Sequence, residues 1–258
     1  GLANTQVLGQ GLTFNIANGD VSTLRQVISD NNFQSQSVTI NLASNGTYTF
    51  TNAVAPTNGL PDHALPIIYN TAGITINGNG STLTIANGMV MRFFLIAKNN
   101  NVPAKLELRN LKLQNGKLTT PGILGGAISN IGNLTLRNVD FIQNQASSCG
   151  AIHNDTSGTL TIIGGRYANN NATVNGGAVC TFGTTTINGT RTNTGNPETD
   201  VFDTVFENNS APAAGAILGY IYNTTIIRAK FSNNRAYIVS GDPGSGLGAA
   251  MGLDGGTY

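Results

Sequence analysis

The chain has 258 residues, of which 10% are charged, and 13 Lys and Arg against 12 Asp and Glu leave a formal net charge of +1. With no Lys/Arg run, that balance excludes a dedicated nucleic-acid binder, whose affinity comes from neutralising phosphates. No segment supplies the ~18 consecutive apolar residues of a membrane span, and the weakly charged remainder, rich in Asn, Thr, Ser and Gly, points to an extracellular or cell-surface protein.

No signal peptide is visible, and Gly1 fits the start of a mature or recombinant chain. Residues 12–35 read as an N-terminal cap. Within them Asp20–Asp30 is the one helical segment, with Asp20 as N-cap and Val21, Leu24, Val27 and Ile28 as its apolar stripe. Ser37–Leu42 and Thr47–Thr51 are the next strand candidates. The Pro-rich turn Gly59–Pro66, which carries Asp62 and His63, reads as a structural excursion over the first coils. Gly73–Asn77, Ser81–Ile85, Phe93–Ala97 and Lys105–Leu113 follow as strands. Beyond them Asn133–Leu136, Thr159–Ile163 and Asn223–Ile227 alternate Thr with aliphatic residues at period two, the signature of strands with one buried face. Asp242–Tyr258 is Gly-rich and carries no evident cap, so either a truncated end or an associated covering segment is expected there.

The second half repeats itself. The pattern aromatic-x-x-Asn-x-Ala occurs at Phe141–Ala146, Tyr167–Ala172, Phe206–Ala211 and Phe231–Ala236. Runs built on Gly-Ala-aliphatic have their second residue at 126, 150, 177, 215 and 248, in steps of 24, 27, 38 and 33 residues. A repeat of this length cannot bury its own apolar face and must stack on its neighbours. Stacking predicts two internal columns: a ladder of Asn144, Asn170, Asn209 and Asn234, and an aromatic file of Phe141, Tyr167, Phe206 and Phe231. Gly and Asn, which tolerate positive φ, supply the corners. The expected fold is all-β, a single-stranded right-handed parallel β-helix with an N-terminal capping helix. Residues 1–258 form one domain, with coils over 36–250.

These repeats resemble those of the polymorphic outer membrane protein family. Gly125-Gly126-Ala127-Ile128 and Phe141-Ile142-Gln143-Asn144 match its Gly-Gly-Ala-Ile and Phe-x-x-Asn motifs. The stretch from Gly59-Leu60-Pro61 through Ile74–Gly80 to Arg92-Phe93-Phe94 is similar to the N-terminal half of secreted bacterial β-helix proteins with such repeats. Tyr167 and Cys149 depart from the motifs, and no autotransporter barrel follows. The resemblance covers most of residues 12–250 and implies a surface or secreted protein, with adhesion as the expected role.

Three groups of residues are candidates for function. His153 and Cys180 each follow the aliphatic residue of their run, so they occupy the same position in successive coils. Asp155 lies two residues beyond His153, and the three together hold the thiol, base and carboxylate of nucleophilic catalysis. The bland alternative is that they are ladder residues and Cys180 a small packing group. Cys149 and Cys180 fall four strand positions apart, roughly 13 Å in extended chain, whereas a disulfide needs Cα atoms within about 7 Å. Two free thiols are therefore expected. The second group, Glu198, Asp200, Asp203 and Glu207, belongs to the longest step. It is either a solvated acidic loop or a binding face able to hold Ca²⁺ or to supply an acid/base pair. The third, Tyr220 and Tyr222, shares a strand face and could stack on sugar rings.

No metal site is expected otherwise. The leading expectation is a non-catalytic adhesin or ligand-binding protein whose flat sheets and 190–207 insertion meet a glycan or a host or cell-surface protein. The alternative is a polysaccharide lyase or glycoside hydrolase, with Arg166, Arg191, Arg228 and Lys230 available for a uronate. A structural element of a surface layer or appendage is the third.

Overall fold

The structure is a computed structural model, and it describes residues 11–54, 60–189, 203–242 and 245–254. The predicted helix forms as α1, Val21–Asn31, with the Asp20 carboxylate accepting from the Thr23 amide at 2.9 Å. Its stripe of Leu24, Val27 and Ile28 is buried in the main core. Apart from a short 3₁₀ turn, every other described regular element is a strand. The first strands are β1 (Leu12–Ile16), β2 (Val38–Leu42), β3 (Thr47–Phe50), β4 (Ile74–Ile85) and β5 (Phe94–Ile96). The 12–35 segment holds a strand as well as the helix: β1 pairs in parallel with β2, so the sheet begins before the helix. The alternation of Leu12, Phe14 and Ile16 already carried that signal.

Among the described residues, all but one pair of short strands form three parallel sheets; Lys98–Asn99 and Val102–Pro103 pair antiparallel. One has twelve strands and runs from β1 through β2 and β4 into Lys105–Gln114, Asn133–Ile142, Thr159–Ile163, Thr184–Asn188 and Thr224–Ile227. A four-stranded sheet joins Gln145–Ser148, Asn171–Asn175, Ser210–Ala211 and Arg235–Ala236. A six-stranded sheet stacks β5, Ile128–Asn130, Ile152–Asn154, Val179–Thr181, Ile217–Tyr220 and Met251–Asp254. Equivalent positions of successive repeats pair directly: Ile128 with Ile152, Ile152 with Val179, and Val179 with Ile217. Inward side chains therefore meet their own kind along the stack. A period-two burial pattern recurs, as in Lys105–Gln114 and Asn133–Ile142.

Both predicted columns are present. Asn144 Nδ2 donates to Asn170 Oδ1 at 3.0 Å, Asn170 Nδ2 to Asn209 Oδ1 at 3.0 Å, and Asn209 Nδ2 to Asn234 Oδ1 at 2.9 Å. Phe141, Tyr167, Phe206 and Phe231 stack with centroid spacings of 5.2, 4.6 and 5.1 Å. The residue before each ladder Asn (Gln143, Asn169, Asn208 and Asn233) has positive φ, as expected at a corner.

The expectation of two free thiols is overturned. Cys149 and Cys180 form a disulfide, with Cα atoms 5.1 Å apart. The extended-chain estimate failed because each Gly-Ala run begins with a corner, not a strand. Gly125, Cys149, Gly176, Ala214 and Gly248 all have φ between 54° and 75°. The chain folds back there: a Cβ added at Gly176 would sit 2.7 Å from the sulfur of Cys180, four residues along. A Cβ at Gly125 would likewise lie 3.0 Å from the amide of His153 in the next repeat. Cys149 takes this corner position one repeat before Cys180, so its side chain reaches the His153–Cys180 column in the next repeat.

The bond closes a 31-residue separation. Its loss is expected to destabilise the fold by about 3–4 kcal/mol, mostly by loosening the unfolded chain. Urea unfolding of Cys149→Ser beside the parent under oxidising conditions measures this. An unchanged midpoint would contradict it.

Candidate functional site

A well-formed concavity lies beside α1. It is a groove of about 740 Å³ between the helix, β3 with the residues after it, and the segment His63–Tyr69. The helix contributes Ser22, Arg25, Gln26 and Ser29, residues three or four apart that share one face. From Ser22 to Asn32 that face is about 15 Å long at the helical rise.

Local hydrogen bonds fix the two walls. Asn32 Nδ2 donates to the Ile67 carbonyl at 2.6 Å, and its Oδ1 accepts from the Tyr69 amide at 2.9 Å. Asn70 Nδ2 donates to the Asn31 carbonyl at 2.7 Å. These buried amides tie the end of the helix to the opposite wall. They set Phe33 against Tyr69, with ring centroids 5.5 Å apart and planes inclined by 19°. Phe33 is 70% exposed, so one face of the stacked pair stands open to solvent.

Arg25 crosses the groove in a fixed pose. Its Nε donates to the Ala64 carbonyl at 2.8 Å, Nη1 to Asn52 Oδ1 at 3.2 Å and Nη2 to the Asn52 carbonyl at 2.5 Å. The guanidinium lies 5.6 Å from the Phe50 ring centroid. Three of its five N–H donors serve the scaffold, and two remain. Partial burial lowers its pKa. No Asp or Glu is among the described residues that line the groove.

His63 also lines the groove. It is 3% exposed and its Nε2 has no hydrogen-bond partner. It pairs in parallel with Arg92, itself 4% exposed with an unpartnered Nε. Burial, reinforced by the Arg92 charge, lowers the His63 pKa to about 4. Burial lowers that of Arg92 to about 10, which leaves it charged at neutral pH.

The sequence-derived candidates fare differently. His153 does stand beside Cys180 in register, and Ser129 continues the column. The sulfur of Cys180 is bound to Cys149, however, so the column holds no thiol nucleophile in this form. His153 Nδ1 lies 3.3 Å from Ser129 Oγ, and its ring meets Phe182 edge-on at 5.9 Å. Burial is the main cause that lowers the His153 pKa to about 4; Asp155 opposes the shift and Arg92 adds to it. Asp155 turns to its own loop and accepts from the Ser157 amide and hydroxyl, both at 3.1 Å. Burial works against its ionisation, but these bonds and the His153 charge outweigh it and hold the pKa low.

Glu198 and Asp200 lie outside the described residues. Glu207 forms an ion pair with Arg166, and Asp203 is exposed. No group of three or more His, Cys, Asp or Glu able to hold a metal occurs among the described residues. Tyr220 and Tyr222 do not share a strand face: Tyr220 ends a strand and Tyr222 lies in the short 3₁₀ turn Ile221–Asn223. Tyr220 instead packs on Phe182 at 5.4 Å, while Tyr222 is 83% exposed.

No described helix is long and apolar enough to cross a membrane. Compared with protein-family models, curated proteins and solved structures, the chain finds no match.

Proposed function

We propose that this chain is a right-handed parallel β-helix of the kind its repeats resemble, capped by α1, and that it works outside the cytoplasm as a non-catalytic glycan-binding adhesin. The observation that carries the reading is the groove beside α1. It joins an open aromatic face to a wall of hydroxyls and amides. Sugar rings present apolar C–H faces to the first and hydroxyls to the second. Ser22, Gln26, Ser29, Thr49, Thr51 and Asn52 supply the donors and acceptors. The parallel register of the repeats supports the β-helix, and the disulfide supports an oxidising compartment.

A second reading, a polysaccharide lyase, draws on one observation: a cation and an imidazole, Arg25 and His63, line the same groove. Such an enzyme uses one to neutralise a uronate and a base to take its proton.

Phe33→Ala tests the site with little risk to folding, because the ring is largely exposed. Affinity electrophoresis through gels cast with soluble polysaccharides is expected to show retardation of the parent by at least one of them. The variant should bind about tenfold more weakly, the loss of roughly 1–1.5 kcal/mol of ring stacking. Equal retardation of parent and variant would remove the groove from the account.

A further inference from the structure

The groove has a charge asymmetry that a neutral sugar would leave unused. Arg25 has two N–H donors to spare, sits partly exposed and forms no ion pair with a described carboxylate. Behind the wall, Arg92 is a second cation with no ion pair to a described carboxylate, buried next to His63. Buried or half-buried guanidinium groups are costly unless a negative group answers them. The acids nearest in sequence are already turned elsewhere: Asp20 caps α1, and Asp30 accepts from Gln26 Nε2 at 2.7 Å. An unpartnered Nε2 on His63, itself almost wholly buried, marks one more polar atom at this wall that no protein group satisfies.

Resting on the glycan-binding reading above, we propose that the α1 groove selects carboxylated sugars, with Arg25 as the anchor for a uronate carboxylate and the Phe33–Tyr69 pair as the platform for its ring. The three bonds that hold Arg25 matter here. They remove most of the rotamer entropy that a free arginine would lose on binding. The remaining donors form charge-assisted hydrogen bonds, the stronger class. The carboxylate takes the place that an Asp or Glu would otherwise fill in this wall. No bond is made or broken in this step; the groove binds and orients.

The test is calorimetric titration, at pH 7 and low salt, of the whole chain with a panel of uronate tetrasaccharides and with their methyl esters. Esterification removes the charge and leaves the sugar otherwise intact. At least one acid is expected to bind tenfold or more tightly than its ester, with affinity falling as salt is raised. Arg25→Gln should abolish that preference, Arg25→Lys should restore part of it, and Phe33→Ala should weaken acid and ester alike. Should Arg25→Gln not fold, the acid-to-ester ratio on the parent protein decides alone. Equal binding of acid and ester would overturn the charge selection and leave glycan binding standing. Binding of neither, by any member of the panel, would overturn the selection; glycan binding itself would then fall only if neutral polysaccharides also failed to retard the parent.

Discussion

Replacing Asn170 by alanine is expected to destabilise the fold by about 4–6 kcal/mol, among the largest effects a single substitution produces. Asn170 is fully buried. Its Oδ1 accepts from both the amide and the Nδ2 of Asn144, and its Nδ2 donates to the Phe141 carbonyl and to Asn209 Oδ1. The substitution leaves these partners without a mate inside a dry corner, and each such group costs about 1–3 kcal/mol. The neighbour Asn171 is the control. It is only partly buried and bonds the Ser210 hydroxyl at 2.8 Å, so Asn171→Ala should cost about 1 kcal/mol. Chemical unfolding of the two variants side by side measures the difference. Similar small losses for both would mean that the ladder does not hold the repeats in register.

Acid should weaken the protein through its two histidines. His63 and His153 both have folded-state pKa values lowered from 6.5 to about 4, chiefly by burial. The unfolded chain then binds more protons than the folded one between those values, so stability rises with pH across that window. It is fully present above about pH 6.5 and is lost as pH falls towards 4. Each histidine contributes at most about 3 kcal/mol to the drop, at 1.4 kcal/mol per unit of pKa. Arg92 faces both rings and opposes their protonation, whereas Asp155 faces His153 and favours it. Urea midpoints measured from pH 7.5 to 4 should fall steeply below about pH 6.5. A His63→Gln, His153→Gln double variant should flatten much of that slope. A parent midpoint that stays level to pH 4.5 would contradict the burial of both rings.

Period made much of the fold legible. An aromatic residue followed three places later by Asn recurs in four copies, and stacking equivalent positions places Asn on Asn and ring on ring. The same logic put His153 opposite Cys180 correctly. It failed where geometry within one repeat mattered. The Gly-Ala runs look extended in sequence, yet the positive φ at Cys149 turns the chain and brings its sulfur to Cys180.

The groove was illegible for a different reason. Its walls come from residues with no repeat, and they meet through Asn32 and Asn70, whose bonds span 35 to 39 positions. Arg25 and Phe33 gave a faint signal, a cation on the polar side of an apolar-striped helix and an aromatic just past its end. His63 was noticed but read as part of an excursion, because nothing in its neighbourhood shows that Arg92 pairs with it. Tyr220 and Tyr222 failed as a stacking pair because the strand ends at Tyr220 and the chain turns.

The measurement that bears most directly on the central claim is size-exclusion chromatography of acidic and neutral polysaccharides after prolonged incubation with the protein. The account predicts at least one polymer of unchanged length that co-elutes with the parent chain and elutes free of the Phe33→Ala variant. A polymer that shortens with time would contradict it, because the protein would then be an enzyme.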